Sequence, residues 1–570
     1  MIFLQVYKIC EKVRLTSWGI FCDTQLTRHG YHHYMRDGTL EPGKIVLGVL
    51  RFIGRHPLPM LILPSAWFFT FYLPFWKSSD VLCQLGAPFS ADNVLLVPPI
   101  YCILGRLPFW VADTLVGGWS PDIFSSQHPS LGAVYTLIVC QHISLWLALW
   151  YFVSGLAASE TARGVVVLLL ASIASFYSFA HTAGAEATTA VTWFALFGVG
   201  LRILRGQSNW KNWLIYVLVL LLCIGSRHVS GLMLGWLPVT AFLLAAFRFF
   251  RDREKQFFAA LSLLSTATIA LALSLASLVV EQSIVSTICR HFGLVERPMQ
   301  GRTLCERIGS FLDLLSPGEK EQAARHAAAY TRDPEVKLAI EDLTTVGTYY
   351  QGSDLAIAET VQKRGLSGER LHAEVDRIAL EAAICFYRTF DARLIQKIVE
   401  DVVRGFYPTN DQGIALTGAK ATYASLASIE QHPEDWSNIR SLRLFEPGVA
   451  NATLERAYHD NYLRHWRFIP LGVWCLLFAA IGGWRAVRRE LAPELVIAAT
   501  CMFGIGLAVH IATCICNISQ PRYVLPLWVG TMASGCVLIA GRSLTPPHLA
   551  SVRVFDPASQ SRRPSASSHG

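Results

Sequence analysis

Ten stretches of mostly apolar residues constrain this chain more than any other feature of its sequence. An apolar α-helix of about 20 residues spans the hydrocarbon core of a bilayer, which is ~30 Å thick. The predicted spans lie at residues 57–76, 132–157, 164–182, 186–204, 212–225, 229–247, 257–280, 467–484, 493–516 and 522–541. The sequence therefore predicts an all-α polytopic membrane protein with a bundle of about ten transmembrane helices.

The charged residues are few and unevenly distributed. They make up 16% of the 570 residues, whereas an ordinary soluble domain has about 25%. Of the 90 Asp, Glu, Lys and Arg residues, 46 fall between Ile284 and His465. This distribution excludes a soluble enzyme, a nucleic-acid-binding protein or a disordered chain as a description of the whole protein.

Lysine and arginine predict the orientation of the spans, because cytoplasmic loops carry an excess of them. Residues 1–56 contain eight, whereas the next loop contains only Lys77 and Arg106. Further basic groups occupy every second loop, at Arg202, Arg205 and Lys211, at Arg248, Arg251, Arg253 and Lys255, and at Arg485, Arg488 and Arg489. We expect a multi-pass protein of a bacterial inner (plasma) membrane with both termini cytoplasmic. The net charge of +8 then reflects a basic cytoplasmic face and requires no nucleic-acid partner.

This topology divides the chain into five regions. They are a cytoplasmic segment at 1–56, a transmembrane module at 57–280 with an outer loop at 77–131, an extracytoplasmic helical domain at 281–466, C-terminal transmembrane helices at 467–541 and a disordered tail at 542–570. Within the outer loop, residues 94–116 are apolar but contain Pro98, Pro99 and Pro108. Because prolines leave backbone groups that lipid cannot satisfy, this stretch predicts interfacial or re-entrant helices.

The cysteine pattern gives no support for a zinc or thioredoxin-like site, because no Cys-x-x-Cys pair occurs. Cys289 and Cys305 are 16 residues apart on the predicted outer side. A disulfide between them is one interpretation, and two unpaired thiols is the favoured one.

Polar residues at the mouths of the spans indicate function, because such groups are costly near lipid. They collect on the predicted outer side. The candidates are Asp80, Asp92, His181, Glu186, Arg227, His228, Arg522 and Tyr523. Carboxylates and arginines on one rim suit a reaction that needs a general base and a bound anion.

The pattern resembles the GT-C glycosyltransferases, of the protein O-mannosyltransferase and aminoarabinose transferase type. Asp80 follows the first span, Pro98-Pro99-Ile100-Tyr101 lies about 20 residues further on, and Arg227 precedes a span that contains glycine and proline. Arg522-Tyr523-Val524-Leu525-Pro526 opens the last span, and Glu186 matches the acidic residue before the fourth. The resemblance covers residues 57–250 and 510–541.

The sequence departs from that family at two positions. Val81 follows Asp80 where protein O-mannosyltransferases have an Asp-Glu pair, which puts a protein acceptor in doubt. Val97 occupies the position of the usual Lys or His before the two prolines.

The resemblance implies transfer of a sugar, with inversion, from a polyprenyl-phosphate donor to a glycan, lipid or protein hydroxyl on the outer side. Asp80, or else Asp92, is the expected base. Arg227 and Arg522, with His228 and Tyr523, are expected to bind the donor phosphate. Glu186, His181, Pro98, Pro99 and Tyr101 are expected to support the site. The mechanism requires no cofactor, although a divalent metal is possible.

Other interpretations stay open from the sequence. The chain could be a lipid-linked glycan polymerase or ligase, a transporter or flippase, or an inactive relative that acts as an assembly partner. Each candidate also has a structural interpretation: Asp80 as a helix cap or loop residue, Arg227 and Arg522 as interfacial side chains, and Glu186 as a carboxylate stabilised by the helix dipole.

Overall fold

The structure is a computed structural model. It describes residues 42–71, 75–76, 94–95, 99–116, 131–251, 253–296, 300–347, 356–406, 470–516, 524–541 and 544. Throughout these ranges α-helices predominate, with four two-residue strands and a 3-10 helix at His228–Gly235.

The first half of the chain contains ten described α-helices. Their bounds are α1 Pro42–Arg55, α2 Pro57–Phe71, α3 Pro99–Val116, α4 Leu131–Gly155, α5 Glu160–Ser172, α6 Ala174–Ala180, α7 Glu186–Leu204, α8 Trp210–Ile224, α9 Trp236–Arg251 and α10 Arg253–Phe292. The strands are β1 Phe75–Trp76, β2 Val94–Leu95, β3 Thr182–Ala183 and β4 Val295–Glu296.

The second half contains a group of soluble-type helices and three apolar ones. The first group is α11 Gln300–Leu312, α12 Pro317–Ala328, α13 Pro334–Val346, α14 Ala356–Lys363, α15 Gly368–Arg388 and α16 Ala392–Arg404. The apolar helices are α17 Leu471–Val487, α18 Pro493–Cys516 and α19 Leu525–Ala540.

The apolar helices support a polytopic all-α membrane protein. Five are long and apolar enough to cross a bilayer, at Tyr135–Gly155, Glu186–Leu204, Ser230–Arg251, Gln256–Phe292 and Pro493–Cys516. Two bent pairs, α1–α2 at 88° and α5–α6 at 56°, would raise that number to seven. The shorter apolar helices α8, α17 and α19 lie at the three remaining predicted positions. The number of ten spans stays a prediction.

The predicted boundary at residue 280 does not coincide with a helix end. Helix α10 continues without a break to Phe292. Residues 281–292 are more polar than the preceding part, but they contain no proline or glycine, so nothing in the local sequence terminates the helix.

The loops that carry the basic groups lie together at one end of the bundle, here called the arginine-rich end. Arg205 donates to the carbonyl oxygen of Gly155, at the end of α4. Arg485 donates to the carbonyl oxygens of Ile539 at 3.0 Å and Gly541 at 3.1 Å, at the end of α19. The last carbonyls of a helix have no partner within the helix and carry partial negative charge. These arginines therefore stabilise helix ends.

Glycines allow the amphipathic helix α1 to pack closely on α5 at this end. A Cβ atom on Gly54 would lie 1.9 Å from the carbonyl oxygen of Glu160, and one on Gly164 would lie 2.0 Å from that of Leu50. Only residues without a side chain fit at these two positions.

Helices α11–α16 form a helical domain, defined here as residues 300–406, with a hydrophobic core of its own. The core includes Ile308, Phe311, Ile340, Ile378 and Phe386, all nearly inaccessible to solvent. This arrangement agrees with the helical pattern predicted from the sequence for that part of the chain.

The helical domain contacts the bundle at the end opposite to the arginine-rich end. Gly472 N donates to the carbonyl oxygen of Phe406 at 3.0 Å. Nε2 of His510, in α18, lies 3.2 Å from the carbonyl oxygen of Val402. Since a carbonyl can only accept, Nε2 of this histidine carries the proton.

Cys289 and Cys305 are not joined by a disulfide in the structure, and they belong to two separate clusters. Cys289 packs with Cys102 and Leu294, and Cys305 lies in the core of the helical domain. The structure thus keeps the two thiols apart, and the favoured interpretation stays a prediction.

Candidate functional site

The candidate site lies at the end opposite to the arginine-rich end, where three chain segments meet. These are the turn 181–186 between α6 and α7, the turn 225–228 after α8, and the beginning of α3. Tyr101 N donates to the carbonyl oxygen of Gly225 at 3.3 Å. A Cβ on Gly225 would lie 2.1 Å from Cδ1 of Ile100, so this glycine permits the close contact.

Gln141 of α4 joins α3 to the turn 181–186. The Tyr101 hydroxyl donates to Oε1 of Gln141 at 3.2 Å. Nε2 of Gln141 donates to the carbonyl oxygens of Ala180 at 2.9 Å and Thr182 at 2.8 Å. Because the amide uses its oxygen and both N–H groups, its orientation is determined by these partners.

The next residue of α4, His142, belongs to a second series of buried hydrogen bonds. His142 Nε2 lies 3.2 Å from Nδ1 of His181, and its Nδ1 lies 2.7 Å from Oγ of Ser65 in α2. Trp146 Nε1 donates to the same Ser65 oxygen at 2.7 Å. Both histidines are inaccessible to solvent, and the ring of Phe69 packs against each of them.

Glu186 and Arg227 form an ion pair between the two turns. Nη1 of Arg227 lies 4.0 Å from Oε1 of Glu186, and the side chains are 13% and 4% exposed. Glu186 is the first residue of α7, where the helix dipole favours a negative charge. The sequence analysis placed Glu186 at a helix start, and the structure confirms this.

Strand β1 is attached to the same turn. It pairs in parallel with β3, with Trp76 opposite Ala183. Asp80 follows Trp76 by four residues and lies outside the described residues.

The structure thus brings together four of the residues predicted from the sequence: Tyr101, His181, Glu186 and Arg227. Pro99 is buried at the first position of α3, where proline is favoured. His228 begins the 3-10 helix. The other predicted residues lie outside the described residues, namely Asp80, Asp92, Pro98, Arg522 and Tyr523.

Sequence reasoning missed Ser65, Gln141 and His142. A signal was present, because Gln141-His142 is an adjacent polar pair within the apolar span predicted at 132–157. Polar and ionisable residues inside a span generally face the protein interior and take part in its function.

A metal site finds no support in the part of the chain that the structure describes. No group of three or more His, Cys, Asp or Glu side chains there could hold a metal ion together. A divalent metal therefore stays only a possibility raised by the sequence.

Among the described residues, the site offers one buried carboxylate, one guanidinium, a tyrosine hydroxyl and a hydrogen-bonded histidine pair. The guanidinium can bind an anionic oxygen group. Together with the fold, the site defines a polytopic all-α membrane protein with a buried polar centre at one end of its bundle. No family model, no curated protein and no solved structure matches this chain.

Proposed function

We propose that this protein is a membrane glycosyltransferase that moves a sugar from a polyprenyl-phosphate donor to a hydroxyl group. The observation that supports this most is the meeting of Tyr101, Glu186 and Arg227 at two adjacent turns, with β1 leading from one of them to Asp80. The same residues carry the resemblance of the sequence to GT-C glycosyltransferases.

In the proposed reaction, Asp80 removes the proton from the acceptor hydroxyl. The acceptor oxygen then forms a bond to the anomeric carbon, on the face opposite to the phosphate. The bond between that carbon and the phosphate oxygen breaks, and its electron pair leaves with the polyprenyl phosphate. The configuration at the anomeric carbon is therefore inverted.

Arg227 and Arg522 would bind the phosphate as its charge increases. Donors placed where charge develops are usually the largest contribution to catalysis in such reactions. Glu186, 4.0 Å from Arg227, would hold the guanidinium in position while the donor site is empty. Tyr101 would fix the beginning of α3 against the turn 225–228 through its backbone N–H and, through Gln141, against the turn 181–186.

In this proposal the site faces the extracytoplasmic side of a bacterial plasma membrane, because the opposite end carries the basic loops. The helical domain then lies outside as well. The acceptor is a glycan, a lipid or a protein.

The test is the substitution Asp80→Asn, with Asp92→Asn as the matched control from the same loop. Loss of a general base typically costs about 10²–10⁴-fold in rate, so Asp80→Asn should reduce transfer by that factor. Full-length protein in nanodiscs is supplied with polyprenyl-phosphate mannose or aminoarabinose and a membrane extract as acceptor. The measurement is the release of polyprenyl phosphate.

Asp92→Asn should release polyprenyl phosphate at the normal rate. If Asp92→Asn is slow and Asp80→Asn is normal, the base assignment is wrong. Normal release by both variants would overturn the mechanism.

A further inference from the structure

Helix α1 takes no part in the proposed reaction and lies at the arginine-rich end of the bundle. Helix α2 begins at that end and leads to β1, which pairs with the turn 181–186 at the opposite end. Helix α2 therefore crosses the whole bundle. Because α1 makes an angle of 88° with α2, it lies across the arginine-rich end, close to the plane of a bilayer surface.

The exposed side chains of α1 form an apolar face and a basic face. Ile45, Val49 and Phe52 recur at helical spacing and are 48%, 52% and 63% exposed. Arg51 and Arg55 lie one turn apart on a different face and are also exposed. A helix with these two faces, lying along a membrane, places its apolar residues among the acyl chains and its basic residues at the headgroups.

Three arginines converge on one carboxylate where α1 packs on α5. Nε of Arg55 donates to Oε1 of Glu160 at 2.8 Å. This hydrogen bond lowers the pKa of the Glu160 carboxyl, and the charges of Arg51 and Arg163 lower it further. Three guanidinium charges against one carboxylate charge leave an excess of two positive charges at this place.

Arg163 carries a donor that no other part of the described chain uses. Its Nε is buried and has no hydrogen-bond partner among the described residues. A buried donor without an acceptor is costly, and an anionic oxygen beside Arg163 would remove that cost. A phosphate group fits, because its oxygens can accept from several guanidinium donors at once.

We propose that Arg51, Arg55 and Arg163, here called the arginine cluster, bind the phosphate group of an anionic phospholipid of the surrounding membrane. The apolar face of α1 contacts the acyl chains of the same leaflet. A zwitterionic lipid brings its own cation to the cluster and binds less well. The arginine cluster lies at the opposite end of the bundle from the candidate site, so this proposal does not rest on the proposed reaction.

The first experiment measures the affinity of the full-length protein in detergent for phosphatidylglycerol, with bound lipid counted by native mass spectrometry. The triple variant Arg51→Gln, Arg55→Gln, Arg163→Gln removes the cluster. Each basic residue near an anionic lipid surface contributes about fivefold in affinity, so the affinity should fall roughly 25- to 100-fold. Phosphatidylcholine should bind weakly and equally to both proteins. An unchanged affinity for phosphatidylglycerol would overturn the proposal.

The matched control removes three basic residues from exposed positions at the same end, outside α1 and α5. It is the triple variant Lys211→Gln, Arg251→Gln, Arg488→Gln. Its net charge equals that of the first triple variant, and it should bind phosphatidylglycerol as the wild type does. An equal loss in both triple variants would overturn the proposal, because total charge alone would then attract the lipid.

A substitution with the opposite expected effect guards against a variant that simply fails to fold. Glu160→Gln removes the one carboxylate and raises the excess of positive charge from two to three. The affinity for phosphatidylglycerol should therefore increase about fivefold. If the arginines serve only to hold Glu160, this affinity stays the same or falls, and the proposal fails.

The second experiment shows what covers α1, by hydrogen exchange of its amides in nanodiscs. Replacing part of the phosphatidylcholine with phosphatidylglycerol should raise the protection factors in α1, and the variant without the cluster should lose that increase. Equal protection in both membranes would overturn the proposal and leave residues 1–41 or a second copy of the chain to cover this helix. The same increase from inorganic phosphate in phosphatidylcholine nanodiscs would assign the cluster to a soluble anion and overturn the lipid site.

Discussion

Two buried pairs of arginine and carboxylate differ in how closely their charges approach. In the helical domain, Nη1 of Arg307 lies 2.7 Å from Oδ2 of Asp401, and the side chains are 0% and 4% exposed. At the candidate site, Arg227 and Glu186 are almost as buried, but their nearest atoms are 4.0 Å apart. The first distance is that of a charge-assisted hydrogen bond, and the second is not.

The surroundings of the two pairs differ as well. Two further cations approach the Asp401 carboxylate, with Lys397 at 3.7 Å and Arg404 at 3.5 Å. Three cationic side chains therefore surround that carboxylate, an arrangement typical of an ion pair that stabilises a fold. The Arg227–Glu186 pair joins two turns of the bundle instead. The short buried pair therefore indicates a role in the fold. The proposal for Arg227 depends on where its pair lies and not on its length, because Arg248 and Glu494 are 3.9 Å apart at the other end.

The largest effect in this comparison is expected for Asp401→Ala. The substitution leaves the guanidinium of Arg307 buried without its carboxylate, and breaking a buried pair in this way costs about 3–5 kcal/mol. Chemical denaturation of the full-length protein in nanodiscs, followed by hydrogen exchange in α11 and α16, measures the loss. Glu400→Ala is the control, because Glu400 is the exposed neighbour of Asp401 and lies 3.8 Å from Arg404.

A loss of less than 1 kcal/mol in Asp401→Ala would contradict the structural role of that pair. Replacing both partners with apolar residues, as Arg307→Met with Asp401→Leu, should recover most of the stability.

An intermediate effect is expected for Arg227→Lys, on binding and not on folding. Lysine cannot reproduce the two-pronged contact of a guanidinium with a phosphate. Hydrogen bonds to charged groups contribute about 1.5–3 kcal/mol, so the affinity for farnesyl phosphate should fall roughly 10- to 150-fold. Titration in nanodiscs measures the affinity, and thermal unfolding measures the stability.

The matched control is Arg248→Lys at the arginine-rich end. Arg248 lies 3.9 Å from Glu494, with side chains 7% and 12% exposed, so the two pairs have nearly the same geometry at opposite ends. Arg248→Lys should leave the affinity unchanged. An equal fall in both variants, or in neither, would remove Arg227 from the donor site.

The smallest effect concerns an exposed group of charges on the helical domain. The guanidiniums of Arg377 and Arg364 donate to Glu374 and lower the pKa of its carboxyl. A carboxyl with a lowered pKa stabilises the fold above its unfolded pKa of about 4.3, and this contribution is lost as the pH falls through its folded pKa. The protection factors for hydrogen exchange in α15 should therefore fall in acid, and less so in Glu374→Gln.

Because these charges are partly exposed, water screens them and the change should be small. Equal acid sensitivity of the wild type and Glu374→Gln would assign the effect to other carboxyl groups. Stabilisation in acid would contradict the sign.

The sequence predicted the positions of the apolar helices because each is long and lacks charge. It also predicted that His181, Glu186 and Arg227 would lie at turns on one side, because alternating spans place every second turn at the same end. It could not predict the hydrogen bond between Ser65 and His142, since this contact depends on how α2 and α4 pack. The bend of 88° between α1 and α2 depends on how the amphipathic helix α1 packs on α5, and the sequence does not show that packing.

The continuation of α10 was missed for a different reason. Residues 281–292 carry polar groups and were assigned to the outer domain, but polarity alone does not end a helix. The pairing of β1 with β3, which joins residues more than 100 positions apart, leaves no local pattern in the sequence.

The length of α10 has a mechanical consequence. Its 40 residues extend about 60 Å at 1.5 Å per residue, roughly twice the thickness of the hydrocarbon core. Helices adjust their tilt to the thickness of the bilayer, and a rigid arm of about 30 Å beyond the core would move its tip by about 5 Å for a tilt of 10°. That tip packs against Cys102, the neighbour of Tyr101. A change in the tilt of α10 would therefore displace the residues that pack against the beginning of α3, so that this one helix links the orientation of the bundle to the position of Tyr101.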